Sequence, residues 1–487
     1  MKLLKDLLYG VSLLDTIGTT HLAVSKITFN SKEASRESLF VAIIGTQVDG
    51  HKYIGAAIET GARAIICENL PSETAEGITY ILVKDSHAAL AKIASNFYDE
   101  PSKKLKLIGV TGTNGKTTTS TLLYQLFTNL GEKSGLLSTV DIKIGKESFP
   151  ASHTTPDPIQ INYYLNEMVK NGCKYCFMEA SSHGIAQKRT FALHFTGAVF
   201  TNISHDHLDY HGSFENYIKA KKALFDNLPK TAFMLTNGDE RHGMTMAQNT
   251  KAKVRTYSIS NDSDYKGRIL EHQLNGMLIK LGMHEVWTKL IGTFNVYNLL
   301  AIYGVAVELE KDPLQVATAI SSLNSVAGRF QYIQKNDLTV IVDYAHTPDA
   351  LENVLGTIAK IRTKNEKVIT VVGCGGNRDT TKRPIMAKVA CENSDQVILT
   401  SDNPRFEDPQ SILDEMMTGV EMHQSHKVLC ILDREQAIKT AIQLGQSKDI
   451  ILIAGKGHET YQEIKGVRKD FNDLALAQEM LNQKYPS

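Results

Sequence analysis

Leu107-Ile108-Gly109-Val110-Thr111-Gly112-Thr113-Asn114-Gly115-Lys116-Thr117-Thr118-Thr119 passes from an apolar run through a glycine turn into a helical stretch. Gly112 and Gly115 let backbone N–H groups converge on an anion at a helix N-terminus. Lys116 adds a point charge and Thr117 a hydroxyl for Mg²⁺. The stretch reads as a phosphate-binding loop for a nucleoside triphosphate, with Gly112, Thr113, Asn114, Gly115, Lys116, Thr117 and Thr118 as its contacts. The commonest such loop has a glycine five positions before its Gly-Lys pair, where this chain has Val110, so the loop is a shorter variant.

Around that loop the chain divides. A length of 487 residues predicts about three domains of roughly 150 residues each. Residues 1–103 alternate short apolar runs (Ser38 to Ile43, Ala64 to Cys67, Ile78 to Val83) with helical segments such as Ala88 to Tyr98, which predicts a small α/β domain. Residues 104–328 carry the loop and strand-like runs at Tyr175 to Glu179, Ala198 to Thr201 and Ala232 to Thr236, alternating with helices, so a parallel-rich sheet is expected. Residues 329–487 restart the pattern at Thr339 to Asp343, Lys367 to Val372, Gln396 to Thr400, Lys427 to Ile431 and Ile450 to Ala454, which predicts a second, Rossmann-like doubly wound domain. The fold class is α/β throughout.

Composition excludes several functions. Lys plus Arg (53) balances Asp plus Glu (53), so no global field draws the chain to nucleic acid or to an anionic membrane. Met1 to Leu14 is apolar in a helical rhythm but interrupted by Lys5, Asp6 and Gly10, unlike a signal peptide, and no apolar run is long enough to span a bilayer. A cytoplasmic protein is expected. Its six scattered cysteines suit a reducing compartment, and Cys173 with Cys176 reads as two buried thiols rather than a metal or redox pair.

Polar groups gather where strands end, the ligand edge of a parallel sheet. In the central domain these are Glu179-Ala180-Ser181-Ser182-His183-Gly184 and Thr201 to Gly212, which includes His205, His207 and His211. A carboxylate and an imidazole beside a triphosphate can hold a second Mg²⁺. The histidines read equally as groups that cap or pack a turn. In the third domain four loops follow strands: Asp343 to Asp349, Gly373 to Arg378, Asp402-Asn403-Pro404-Arg405 and Gly455 to Glu459. Thr347 and Pro348 fit an N-cap and first helical position, but four such loops on one edge describe a binding face.

Taken together, Thr111 to Thr118, Glu179 to Gly184 with Gln187 and Arg189, Thr201 to Gly212, Gly292-Thr293-Phe294-Asn295 with Asn298, Asp343 to Asp349, Gly373 to Pro384 and Gly455 to Glu459 resemble the Mur ligases of peptidoglycan synthesis. The likeness runs the whole length and includes Phe29-Asn30-Ser31-Lys32 and Gly45 to His51, where the family holds a uridine nucleotide. The family usually has Asp-Ser-Arg at Asn30-Ser31-Lys32, Asp at Asn377, and Asn at His153. The resemblance implies a monomeric, ATP-dependent ligase of cell-wall synthesis that activates the D-Glu carboxylate of UDP-MurNAc-L-Ala-D-Glu as an acyl phosphate and joins it to an amino acid. It implies ATP contacts from Asn298, Arg329 and Asp343, and UDP-sugar-peptide contacts from Ser31, Thr154, Thr155, Ser181, Gln187 and Arg189. It implies two Mg²⁺ sites drawing on Thr117, Glu179, His207 and a carbamate on Lys221. Catalysis would fall to Lys116, Lys221, His207 and Glu179. The amino acid would be held by Arg383, Asp402, Asn403, Pro404, Arg405, Gly455 and Glu459. Members with Asp-Asn-Pro-Arg add meso-2,6-diaminopimelate, and a guanidinium suits its distal carboxylate, whereas L-lysine would present like charge to Arg405. Addition of L-lysine and a folylpolyglutamate synthetase are the alternative enzymes. A nucleotide-gated binding module is the alternative from another class.

Overall fold

The computed structural model describes residues 1–45, 48–151, 153–273, 275–363 and 365–486. Thr46 and Gln47, inside the Gly45 to His51 stretch, lie outside the described residues.

The phosphate-loop strand Lys106–Thr111 sits in the middle of a sheet that has eleven strands among the described residues. It pairs in parallel with Tyr175–Glu179 on one side and Gly197–Phe200 on the other. Successive side chains of a strand face opposite sides, and here Leu107 enters one hydrophobic core while Ile108 and Val110 enter the other. Burial on both faces is what makes such strands read as continuous apolar runs. Gly109 is bare because the Phe195 ring would lie 2.8 Å from any Cβ there. Strands from Ser134–Leu137 across to Tyr265–Gln273 run parallel. Antiparallel arms extend both edges: Asp141–Ile144 with Glu147–Pro150, and Gly276–Leu281 with His284–Thr288.

The amino-terminal sheet orders Leu13–Ile17, Thr79–Val83, Ala62–Cys67, Ser38–Val41 and Lys26–Thr28, with only the first pair antiparallel. The helical rhythm of Met1 to Leu14 is realised only at Leu4–Leu7, because Leu13 onward pairs with Thr79–Val83 and tertiary pairing overrides the local pattern. The carboxy-terminal sheet orders Gln331–Lys335, Leu338–Asp343, Ile450–Ala454, Val368–Val372, Gln396–Leu399 and Val428–Cys430, parallel except for its first pair. Helices cover both its faces with separate cores. Cys173 and Cys176 are buried and unbridged. Among the described residues no helix is long and apolar enough to cross a membrane.

Contacts between the sheets fix the site. Ile291 and Phe294, at the entry to the central helix Thr293–Glu308, pack into a carboxy-terminal core, with the Phe294 and Phe330 rings 5.9 Å apart. On the other side Lys188 pairs with Asp85, whose carboxylate also caps the helix Ser86–Phe97.

Candidate active site

The carboxyl ends of the central and carboxy-terminal sheets enclose one cleft of about 450 Å³. Its floor is the phosphate loop. Gly112 can have no side chain, since a Cβ would stand 1.9 Å from Thr201 Oγ1, and Gly115 at φ 85° would press on Asn298 Oδ1 at 2.8 Å. This bare turn leads straight into the helix Lys116–Asn129, whose first N–H groups have no intrahelical acceptor. Lys116 Nζ donates to Gly112 O and Thr113 O, both at 2.8 Å. Burial lowers the Lys116 pKa, and the Glu179 and Asp206 carboxylates work against that.

Glu179, at the end of its strand, is fully buried. One carboxylate oxygen accepts from Thr117 Oγ1 at 3.0 Å and the other from Thr139 N–H at 2.7 Å. Thr117 Oγ1 and Glu179 thus place hard oxygen donors at one spot beside the phosphate loop, a set that suits Mg²⁺. Among the described residues no group of three or more His, Cys, Asp or Glu forms a metal cage. An ion here would draw its further ligands from substrate oxygens and water, as Mg²⁺ does.

The next strand leads to His207, which stands in the left-handed region at φ 55° with its Nε2 3.5 Å from Asp206 Oδ2. Burial holds its pKa down to about 3, Asp206 opposing, and burial likewise holds His183 down to about 4. Both imidazoles are neutral near pH 7 and able to ligate or accept. Lys221, on the helix Phe214–Asp226, is 1% exposed and donates to Gly112 O at 2.7 Å, with its Nζ 4.5 Å from the Tyr217 ring centre. Burial and then Lys116 push its pKa well below the ordinary lysine value.

The opposite wall comes from the third sheet. Arg329 lies on the Tyr344 ring at 4.3 Å and donates to Thr117 Oγ1 at 3.3 Å. Asp349 Oδ2 accepts from Asn114 Nδ2 of the phosphate loop at 2.8 Å and from Ser204 Oγ at 3.2 Å. Arg405 has φ 52° and donates from Nη1 to Gly376 O at 2.8 Å. Non-glycine residues in this region are sparse and cluster at functional sites, and the cleft has two, His207 and Arg405.

With that geometry in place, comparison with known proteins decides the family. Residues 23–98 match the model described as Mur ligase family, catalytic domain. Residues 110–306 match the Mur ligase middle domain, and residues 328–457 the Mur ligase, glutamate ligase domain. The chain belongs to the Mur ligase family. A relative from Cytophaga hutchinsonii named UDP-N-acetylmuramoyl-L-alanyl-D-glutamate--2,6-diaminopimelate ligase is 53% identical over 481 residues, covering 98% of this chain and 99% of the relative. A relative of the same name from Clostridioides difficile is 39% identical and covers 99% of both chains. A solved structure under that name aligns with a TM-score of 0.68 at 33% identity, over 95% of this chain and 96% of the other.

As a Mur ligase the protein is an amide-bond-forming enzyme, and most of the residues expected at its site line the one cleft. Those that do not are Ser31, Gly112, Asn298, Asp343, Pro404 and Arg383. Ser31 starts the short 3-10 turn Ser31–Glu33 that follows the edge strand Lys26–Thr28 of the amino-terminal sheet, and Gly112 and Pro404 shape turns whose neighbours face the cleft. Asn298 is buried, accepting from Thr119 Oγ1 at 3.2 Å and donating to Asn295 at 3.1 Å. Asp343 accepts from Phe330 N–H at 2.6 Å, and burial raises its pKa. Arg383 is fully buried, paired with Glu407 at 2.8 Å and Glu415 at 2.9 Å. The N-cap reading of Thr347 holds, since its side chain accepts from Ala350 N–H ahead of the helix Pro348–Ile361. Sequence reasoning missed Thr139, which sits in an antiparallel turn without a motif, and Tyr344, His346 and Lys382, which carry no pattern of their own within Asp343 to Asp349 and Gly373 to Pro384.

Proposed function

We propose that the protein catalyses ATP-dependent addition of meso-2,6-diaminopimelate to the D-Glu carboxylate of UDP-MurNAc-L-Ala-D-Glu. The observation that carries this reading is the single cleft in which the phosphate loop of one sheet faces the Asp402–Arg405 turn of another. The near-full-length relatives bearing that activity in their names, at 53% and 39% identity, support the substrates. A carboxylate is a poor acyl donor because its leaving group would be oxide. Its oxygen attacks the γ-phosphorus of ATP, ADP departs, and the acyl phosphate offers the amine a carbonyl carbon with phosphate as leaving group.

Lys116 and the loop N–H groups hold the phosphates in this scheme, with Arg329 stacked on Tyr344 to complete the nucleotide side. Asn298 and Asp343 act from behind, Asn298 against the Gly115 turn and Asp343 through the backbone of Phe330. Thr154, Thr155, Ser181, Gln187 and Arg189 hold the peptide end of the UDP substrate. Arg189 Nη1 and Nη2 already bridge Thr155 O and Gln187 Oε1. Ser31 and its neighbours receive the uridine.

Thr117 and Glu179 would hold one Mg²⁺, and His207 with a carbamate on Lys221 a second. Magnesium supplies the positive charge that offsets repulsion between carboxylate and phosphoryl group. A buried, neutral Lys221 amine is the form that takes up CO₂, and the product is an anionic oxygen donor. Arg405 receives the distal carboxylate of diaminopimelate, while Asp402, Asn403, Gly455 and Glu459 surround its amino-acid head. Pro404 fixes the turn, and Arg383, held by two glutamates, anchors the Gly375 backbone behind it. Unbridged cysteines suit a reducing, cytoplasmic compartment.

The test is ADP release by the purified protein with the UDP-dipeptide and a panel of amino acids. Turnover that requires both the UDP-dipeptide and diaminopimelate, with L-lysine far poorer, is expected. ATP turnover indifferent to either substrate refutes the reading.

A further inference from the structure

The Asp402–Arg405 turn is held from outside the cleft. Arg405 occupies a left-handed conformation at φ 52°, which a side-chain-bearing residue keeps only when its surroundings enforce it. Two backbone hydrogen bonds do so: Arg405 N–H donates to Glu463 O at 3.0 Å, and Lys465 N–H donates to Arg405 O at 2.6 Å. Both partners belong to a small hairpin, Tyr461–Ile464 paired with Val467–Asp470, that joins no other sheet among the described residues. The same strand continues along the turn. Glu463 N–H donates to Asn403 Oδ1 at 2.9 Å, and Gln462 Nε2 donates to Asp402 O at 2.8 Å.

Asn403 is the hub of this arrangement. Its Oδ1 also accepts from the fully buried Lys456 Nζ at 3.1 Å, and its Nδ2 donates to Glu459 Oε2 at 2.7 Å. Lys456 donates to the same Glu459 oxygen at 2.8 Å. Neither Lys456 nor any hairpin residue lines the cleft, yet together they hold three of the four residues of the turn and the glutamate facing it.

We infer that the hairpin Tyr461–Asp470 is a positioning element for amino-acid specificity: by enforcing the backbone of Arg405 it sets where the guanidinium stands. The inference rests on the ligase reading above. The hairpin's own geometry supplies a handle. Lys465 and Gly466 both have positive φ, 50° and 76°, the two-residue turn that matches strand twist and favours glycine at its second position. A β-branched residue at 466 cannot take that conformation without strain, whereas the Phe406 ring, 3.3 Å from any Cβ there, is exposed and yields to one.

Gly466→Val in the full chain is therefore compared with wild type by ADP release. The expected result is a diaminopimelate KM raised on the order of 10- to 100-fold, from a guanidinium displaced by about an ångström, with a lower preference for diaminopimelate over L-lysine. The KM values for ATP and the UDP-dipeptide should stay within about twofold. Gly466→Asn, which tolerates the left-handed region, should restore the wild-type diaminopimelate KM. A purely structural role would raise all three KM values together or leave all three unchanged, and either pattern overturns the inference. If Gly466→Val does not yield folded protein, Gln462→Ala, which removes only the bond to Asp402, is read by the same ratios, and an unchanged diaminopimelate KM overturns it. A wild type with no diaminopimelate-dependent turnover refutes the ligase reading itself, whereas an active wild type beside an indifferent variant refutes only the role of the hairpin.

Discussion

Replacing Asp349 by alanine tests whether the enzyme turns over in the arrangement described above. One carboxylate oxygen of Asp349 accepts from Asn114 at 2.8 Å and from Ser204 at 3.2 Å, so a single atom of the carboxy-terminal domain grips both the phosphate loop and the turn leading to His207. A hydrogen bond to a charged acceptor contributes about 1.5 to 3 kcal/mol when buried. Asp349 is only half-buried and the Ser204 bond is long, so roughly 2 to 3 kcal/mol for the two together is the fair figure. That corresponds to a fall of about 30- to 160-fold in kcat/KM for ATP, measured as ADP release under saturating UDP-dipeptide and amino acid. Asp349→Asn keeps an acceptor oxygen and should lose clearly less. Because Asp349 also lies in the first turn of the helix Pro348–Ile361, removing it should cost no more than about 1 kcal/mol of helix stability, and a thermal melt separates that from the kinetic loss. Wild-type kcat/KM in Asp349→Ala would refute the reasoning, and so would an equal loss in Asp349→Asn.

Lys221→Ala should abolish turnover and regain part of it on addition of short carboxylic acids, read as ADP release. Full activity without them would remove the carbamate. Arg405→Ala should raise the KM for diaminopimelate by roughly two to nearly four powers of ten, from about 3 to 5 kcal/mol for one partner of a partly buried pair, and leave that for the UDP-dipeptide nearly unchanged. His346 is held by burial, and next by Lys382, at a pKa of about 4, while the unfolded chain takes up its proton near pH 6.5. Since the unfolded state then binds more protons, the stability this group contributes is complete above about pH 6.5 and is lost as pH falls toward about 4. The melting temperature should drop between pH 7.5 and 5.5, and drop less in His346→Gln.

The parallel strands were legible because they are buried on both faces: Tyr175–Glu179 and Ile450–Ala454 read as apolar runs for that reason. The antiparallel arms were not. His284–Thr288 alternates between buried and exposed positions and carries charge, so its composition resembles a loop as much as a strand. Site chemistry was legible where one loop concentrates it, as in the phosphate loop and the Asp402–Arg405 turn. Thr139 and the hairpin after Thr460 carry no signal in the sequence, and within Asp343 to Asp349 nothing distinguishes Asp349, because each matters only through what lies opposite it in space. Asp349 is 235 residues from the Asn114 it touches.

The shared cleft also determines how tightly ATP consumption is coupled to product. An acyl phosphate is a mixed anhydride, and water competes with the amine for its carbonyl carbon. On the proposed mechanism the central sheet supplies the floor on which the anhydride would form, but the wall carrying Tyr344, His346 and Arg405 comes from the carboxy-terminal domain and can exclude solvent only while the two stay together. The contacts of Asp349 and Arg329 across that boundary would then set a leak rate, the fraction of activated carboxyl groups returned to starting material with ATP hydrolysed and no amide formed.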